Sequence, residues 1–194
     1  MELMKRKSEA GYIEGAYCEA FNFADICEKL TLTARQLPAY TGNPQAQKIS
    51  GHIISDNISV SIGFTPEGWF EAVIPALLPK KNKDSAEYIC DFMYPAMQNF
   101  FRGKKPVRYT DCIIIFRHIY RQDRPERQYR DHDNIEIKAV IDIIALYVLF
   151  DDSPLHCSHY YCSAPGNENR TEIFIVPRSE FGIWLANSKT YSNN

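Results

Sequence analysis

The sequence has no apolar run long enough to cross a bilayer. Its most apolar stretch, Ala139 to Phe150, is short and is broken by Asp142, whereas a spanning helix needs about 20 consecutive apolar residues. No apolar run follows the basic start Met1-Glu2-Leu3-Met4-Lys5-Arg6-Lys7, so a secretory signal and a membrane role are not expected. Cysteine pairing is also missing. The six cysteines, Cys18, Cys27, Cys90, Cys112, Cys157 and Cys162, are scattered without a CxxC pair. Without an export signal, they are expected to be free thiols in a reducing cytoplasm. Internal repeats and low-complexity tracts are absent. So is an overall basic surplus: the net charge is −2, unlike the usual nucleic-acid binder.

An apolar fraction of 45%, with 12 Tyr and 11 Phe, supplies a real core and excludes a disordered chain. The charge is unevenly spread. Pro79 to Arg130 holds twelve Lys/Arg and six Asp/Glu, and Asp131 to Asn194 holds four and nine. A basic arm beside an acidic cluster suits a site that draws in phosphate and coordinates metal against it. Ordinary surface charge gives the same counts.

The patterns predict an α+β fold, a small mixed sheet packed with helices, behind an N-terminal extension over residues 1–56. Phe23, Ile26, Cys27 and Leu30 recur at helical spacing within Phe21 to Gln36, before a loop bounded by Pro38 and Pro44. Asn57 to Phe64 alternates like a half-buried strand, and Trp69 to Pro75 reads as its hairpin partner across Gly68. Pro75 to Lys83, with its prolines and Lys80, Lys81 and Lys83, reads as an exposed basic loop. Asp84 and Glu87 form a capping-box signature for a helix reaching about Arg102, with a kink expected at Pro95. Thr110 to Tyr120 is a buried strand running out into Arg117, Arg121, Arg124, Arg127 and Arg130. Asp133 to Phe150 reads as a helix apolar nearly all round. Leu155 to Ser163 and Thr171 to Val176 are the last strands, joined by a Pro-Gly-Asn turn, and Ser179 to Ala186 closes the chain as a short helix.

Chemistry concentrates in Arg130-Asp131-His132-Asp133-Asn134 and, beyond the following helix, Asp151-Asp152. Clustered carboxylates are costly unless a cation neutralises them. All-oxygen donors favour Mg²⁺ or Mn²⁺, which lowers the pKa of an attacking water. Each piece also has a plain structural reading: Asp133 with Glu136 as a capping box, and Asp151-Asp152-Ser153-Pro154 as a solvated turn. A zinc alternative, His156-Cys157-Ser158-His159-Tyr160-Tyr161-Cys162, fails on geometry. On a strand, His156 and Cys162 face one way and Cys157 and His159 the other.

The run Arg130-Asp131-His132-Asp133-Asn134-Ile135, then Lys138, Asp142 and Asp151-Asp152, resembles the signature of the RusA-type Holliday-junction resolvases. The flank Ile74-Pro75-Ala76-Leu77-Leu78-Pro79-Lys80-Lys81-Asn82 is similar to that family's proline-containing Asn loop. The resemblance covers about Trp69 to Val176. It implies a dimeric, magnesium-dependent endonuclease that recognises branched DNA by shape and nicks two strands. Asp131, Asp133 and Asp152 would be metal ligands, with Asp151 a helper. Lys138 would stabilise phosphate charge, and Lys80, Lys81, Lys83, Arg121, Arg124 and Arg127 would contact the DNA backbone. Lys138 stands one residue later than the family's helix lysine, which on a regular helix turns it by ~100°. Either a π-bulge restores its aim, or it pairs with Asp142 at i+4. Two rival readings are a catalytically silent relative that binds DNA or a protein, and an enzyme acting on another phosphorylated substrate. The expected helix from Asp133 to Phe150 is apolar on more faces than one small sheet covers, which also points to a homodimer.

Overall fold

The computed structural model describes residues 13–105, 107–123 and 129–188. Arg124 and Arg127 lie outside them. The chain divides into two compact units after Gln47.

The first unit is built on α1, Ile13–Gln36, followed by a 3₁₀ turn, Leu37–Thr41. The helix starts eight residues before the expected Phe21. The apolar residues that predicted it do not all sit inside: Phe23, Ile26 and Leu30 are exposed.

The second unit opens within α2, Ala46–Asn57, a helix the sequence pattern did not announce. A five-stranded sheet follows, with β1 Ser61–Phe64, β2 Phe70–Ile74, β3 Cys112–Arg121, β4 Cys157–Gly166 and β5 Arg170–Pro177 in the order β1-β2-β5-β3-β4. Only the β3–β4 pair is parallel. Helix α3, Ser85–Phe101, connects β2 to β3. Helix α4, Lys138–Val148, makes the crossover that a parallel pair requires, and α5, Phe181–Ser188, follows β5. Gly68, with φ +89°, supplies the left-handed residue in the β1–β2 turn. The fold is thus α+β, with a mixed sheet and helices packed on it.

Strand alternation sends Phe70, Ala72, Ile74, Ile114, Phe116, Ile173 and Ile175 to one face. There they meet Ile89, Phe92, Met93 and Met97 of α3 and Val140, Ile144 and Val148 of α4. The opposite face carries Trp69, Ile113, Ile115, Phe174 and Val176, packed with Trp184 of α5.

Several expectations are corrected. The strand expected from Asn57 begins at Ser61. Asp84 makes no side-chain cap, because the turn before α3 is closed instead by Asn82 and by the Ser85 hydroxyl donating to the Lys80 carbonyl. The helix itself runs past Pro95 to Phe101, as expected. The helix expected from Asp133 begins only at Lys138. Before it come a 3₁₀ turn, His132–Asn134, and an extended Ile135. Most of α4 is buried within the single chain, and Leu146 is its exposed large apolar side chain.

Candidate functional site

The segment around the acidic turn is held by the loop after β2. Leu78 and Pro79 are buried and anchor that loop. Beyond them the backbone pairs with the turn. Glu136 N–H donates to the Pro79 carbonyl at 2.9 Å and Lys81 N–H to the Asn134 carbonyl at 2.7 Å, around an antiparallel bridge between Lys80 and Ile135. The Arg130 guanidinium donates to the Leu78 carbonyl, and the Arg130 N–H to the Tyr120 hydroxyl at 3.0 Å. The basic loop is consequently not free. Lys81 Nζ donates to the Asp133 main-chain carbonyl at 2.7 Å. This pairing also explains the late start of α4: residues fixed in an extended ladder cannot enter the helix. Glu136 then caps α4 by accepting from the Ala139 N–H at 3.3 Å. Because the interval from Asp133 to Lys138 is not helical, the π-bulge question dissolves.

Asp131 and Asp133 are exposed at either end of this turn. Among the described residues, their carboxylates make no hydrogen bond or ion pair. Lys138, the first residue of α4, is exposed and paired with Asp142 at 2.5 Å. That hydrogen bond, then the Asp142 charge, hold its pKa up, and Asp152 and Glu136 add to the effect. The charge of Asp152, beyond the far end of α4 in sequence, is thus felt at the start of the helix. It also bears on His159 of β4, whose pKa is lowered by burial and partly restored by Asp152. Asp151 turns elsewhere, toward Ser153, whose hydrogen bond lowers its pKa.

Three rings underlie the acidic turn, and the sequence reading passed over all of them as site residues. His132 meets the Ser163 hydroxyl at 3.1 Å, with its ring 5.7 Å from that of His118 and 5.8 Å from that of Tyr161. His118 is almost wholly buried in β3. Its Nδ1 lies 3.4 Å from the Thr171 hydroxyl, and its Nε2 has no hydrogen-bond partner among the described residues. Burial, then the charges of His132 and Arg130, lower its pKa to about 4. A histidine set beside Arg117 inside the otherwise apolar run from Cys112 to Ile119 was the available signal.

The other expected contacts separate. Lys83 is exposed beside Asn82, and Arg121 is exposed and paired with Asp123. At the zinc alternative, His156 Nδ1 faces the Thr110 carbonyl at 2.8 Å, and the buried Cys157 and Cys112 sulfurs stand 3.5 Å apart as free thiols.

A family model matches residues 1–194. The chain belongs to the Family of unknown function (DUF6100). No curated protein and no solved structure matches it.

For this DUF6100 chain, the donor set at the turn has the chemistry of a hard-cation site: aspartate oxygens which, at Asp131 and Asp133, have no partner among the described residues. No three His, Cys, Asp or Glu side chains are gathered to hold a metal among the described residues. The protein alone therefore presents no closed cage. Its acids suit the other mode of magnesium binding, with one or two carboxylates and the remaining positions filled by water and substrate phosphate. No helix among the described residues is long and apolar enough to cross a membrane.

Proposed function

We propose that this chain is a metal-dependent endodeoxyribonuclease that hydrolyses phosphodiesters in branched DNA. It would work as a cytoplasmic homodimer in DNA recombination and repair, on the plan of the RusA-type resolvases. The observation that carries the reading is the charge of Asp152 felt at the start of α4, where it bears on Lys138. On this reading the two halves of the acidic motif, separated by a helix in sequence, would both serve its N-terminal end.

One or two of Asp131, Asp133 and Asp152 would hold Mg²⁺ or Mn²⁺, once water and a DNA phosphate complete the donor set. The bound ion would supply an activated water and neutralise phosphate charge. The chain's own residues orient the strand. Lys81 fixes the turn through the Asp133 carbonyl, while Lys80, Lys81, Lys83 and Arg121 meet the DNA backbone. Lys138 can exchange Asp142 for a phosphate oxygen as charge develops.

A second reading, binding without cutting, is favoured by one observation: Lys138 is already paired with Asp142. Incubating the full chain with labelled four-way junction and duplex DNA, with and without Mg²⁺, separates the two. Nuclease action predicts Mg²⁺-dependent nicks in the junction. Asp133→Asn should lower them by about 10²-fold or more while binding persists. Tight junction binding with no cleavage favours the second reading, and neither binding nor cleavage overturns both.

A further inference from the structure

The face of the sheet away from the acidic turn holds a cavity of about 710 Å³, within the size range of small-molecule sites. Trp69, Phe174 and Trp184 form its apolar walls. The Trp69 indole N–H donates to Glu180 at 2.5 Å, which fixes the ring. On the floor, nearly buried Glu172 holds two arginines. Arg117 Nε donates to its Oε2 at 2.5 Å and Arg170 Nε to its Oε1 at 2.7 Å. The Arg117 guanidinium also lies over the Phe174 and Trp184 rings, at 5.5 and 5.9 Å from their centroids. These three charges are committed to one another.

Glu71 is not. It lines the same cavity from β2, in register with Phe174 of β5. Among the described residues, its carboxylate makes no hydrogen bond or ion pair. β1 brings Gly63 against it, which carries no charge. β5 brings Glu172, and β3 brings Arg117. Arg170 and Glu67 complete the charged lining, and the α5 residues there, Trp184, Asn187 and Ser188, are uncharged. Two arginines thus face three carboxylates. Burial first, then Glu172, raise the pKa of Glu71, and Arg117 opposes the shift. A half-buried carboxylate without a counter-ion, beside aromatic walls, is a place for a cation.

We propose that this cavity binds an organic monocation, an amine or amidinium carried on a flat apolar body, with the Glu71 carboxylate as counter-ion and Trp69, Phe174 and Trp184 around the body. The site is separate from the acidic turn and does not depend on nuclease activity.

Both tryptophans of the chain line the cavity, so their fluorescence in the full-length protein reports its occupancy. The probes are 2-phenylethylamine, 2-phenylethanol and phenylacetate, which share a ring and differ in charge. At about pH 8, the amine should shift tryptophan emission saturably and bind about tenfold more tightly than the alcohol, with phenylacetate weakest. Glu71→Gln should reduce the amine to the level of the alcohol and leave the alcohol unchanged. Because burial holds the Glu71 pKa above the ordinary carboxylate value, lowering the pH stepwise from about 8 should neutralise Glu71 earlier than an ordinary carboxylate and weaken the amine in the unaltered protein, whereas binding of the alcohol holds. This pH comparison decides the matter if Glu71→Gln does not fold. Phenylacetate binding as tightly as the amine overturns the proposal. So does amine binding indifferent to Glu71→Gln and to pH, or no saturable response to any probe at millimolar concentration.

Discussion

The two faces of the sheet are closed by different means. One carries apolar side chains only through its middle and is roofed by α3 and α4, with its polar groups displaced to the rim where the acidic turn lies. The other is roofed, among the described residues, by the short α5, and buries Glu172 and most of Arg117 among aromatic rings. On the first face, stability comes from apolar area removed from water. On the second, part of the interior depends on charges that satisfy one another, and such a pair contributes little unless both partners stay. A cavity persists where the charged side has too few apolar neighbours to fill it.

The contrast is broken most directly by truncation. Phe116→Ala on the roofed face should destabilise the protein by about 3–5 kcal/mol in urea unfolding, since α3 and α4 cannot both collapse into the void. Phe174→Ala, beside the open cavity, should cost clearly less, about 1–2 kcal/mol, because no closed void is left. Equal losses would mean that the two faces are packed alike.

Next in size is Glu172→Gln, which leaves Arg117 and Arg170 without their carboxylate. A loss of about 3 kcal/mol is expected, the scale for breaking a buried ion pair on one side. A neutral result would show that solvent in the cavity already screens those charges.

The rim of the roofed face is tested by pH. His118 titrates at about 4 in the folded chain against an ordinary value of 6.5. Between those values the unfolded chain binds more protons, so stability is full above about pH 6.5 and falls as the pH drops toward 4. His118→Phe leaves the Thr171 hydroxyl satisfied, since it donates to the Ala76 carbonyl and accepts from Leu78 N–H. It should remove roughly 2 kcal/mol of that acid sensitivity, measured as the change in unfolding free energy over the window. Acid sensitivity that is unchanged would place its origin in other groups.

The smallest effect is expected at the exposed Lys138. Lys138→Ala should leave the melting temperature nearly unchanged, since an exposed i,i+4 pair contributes little. A marked drop in melting would make the Lys138–Asp142 pair structural and remove it from the proposed site.

What could be read in the sequence follows the range of the forces involved. Strand alternation and the apolar period of α3 are local, so the hairpin across Gly68, the buried strand β3 and the two closing strands were all legible. The start of α4 was not. Asp133 with Glu136 carries a good local capping signal, but residues 79–81, far away in sequence, take the backbone hydrogen bonds of residues 134–136 first. The same non-local pairing turned a loop that read as exposed into an anchored one. Arg117 was read with the basic run that follows β3. The strand continues to Arg121, so alternation carries Arg117 inward over Phe174 and Trp184. His118 points to the opposite face for the same reason.

The strand order has a consequence for the nascent chain. The middle strand of the sheet, β5, is the last of the five to be synthesised, and it separates β2 from β3. Until residues 170–177 have left the ribosome, the hairpin of β1 and β2 and the parallel pair of β3 and β4 have no hydrogen-bonded connection. Each then shows an open edge and an uncovered apolar surface. Closure is a single late insertion joining segments about a hundred residues apart, a contact pattern that makes folding slow. A ribosome stalled after β4 has emerged but before β5 has would therefore hold two half-sheets without the strand that joins them, a state in which a chaperone is needed most.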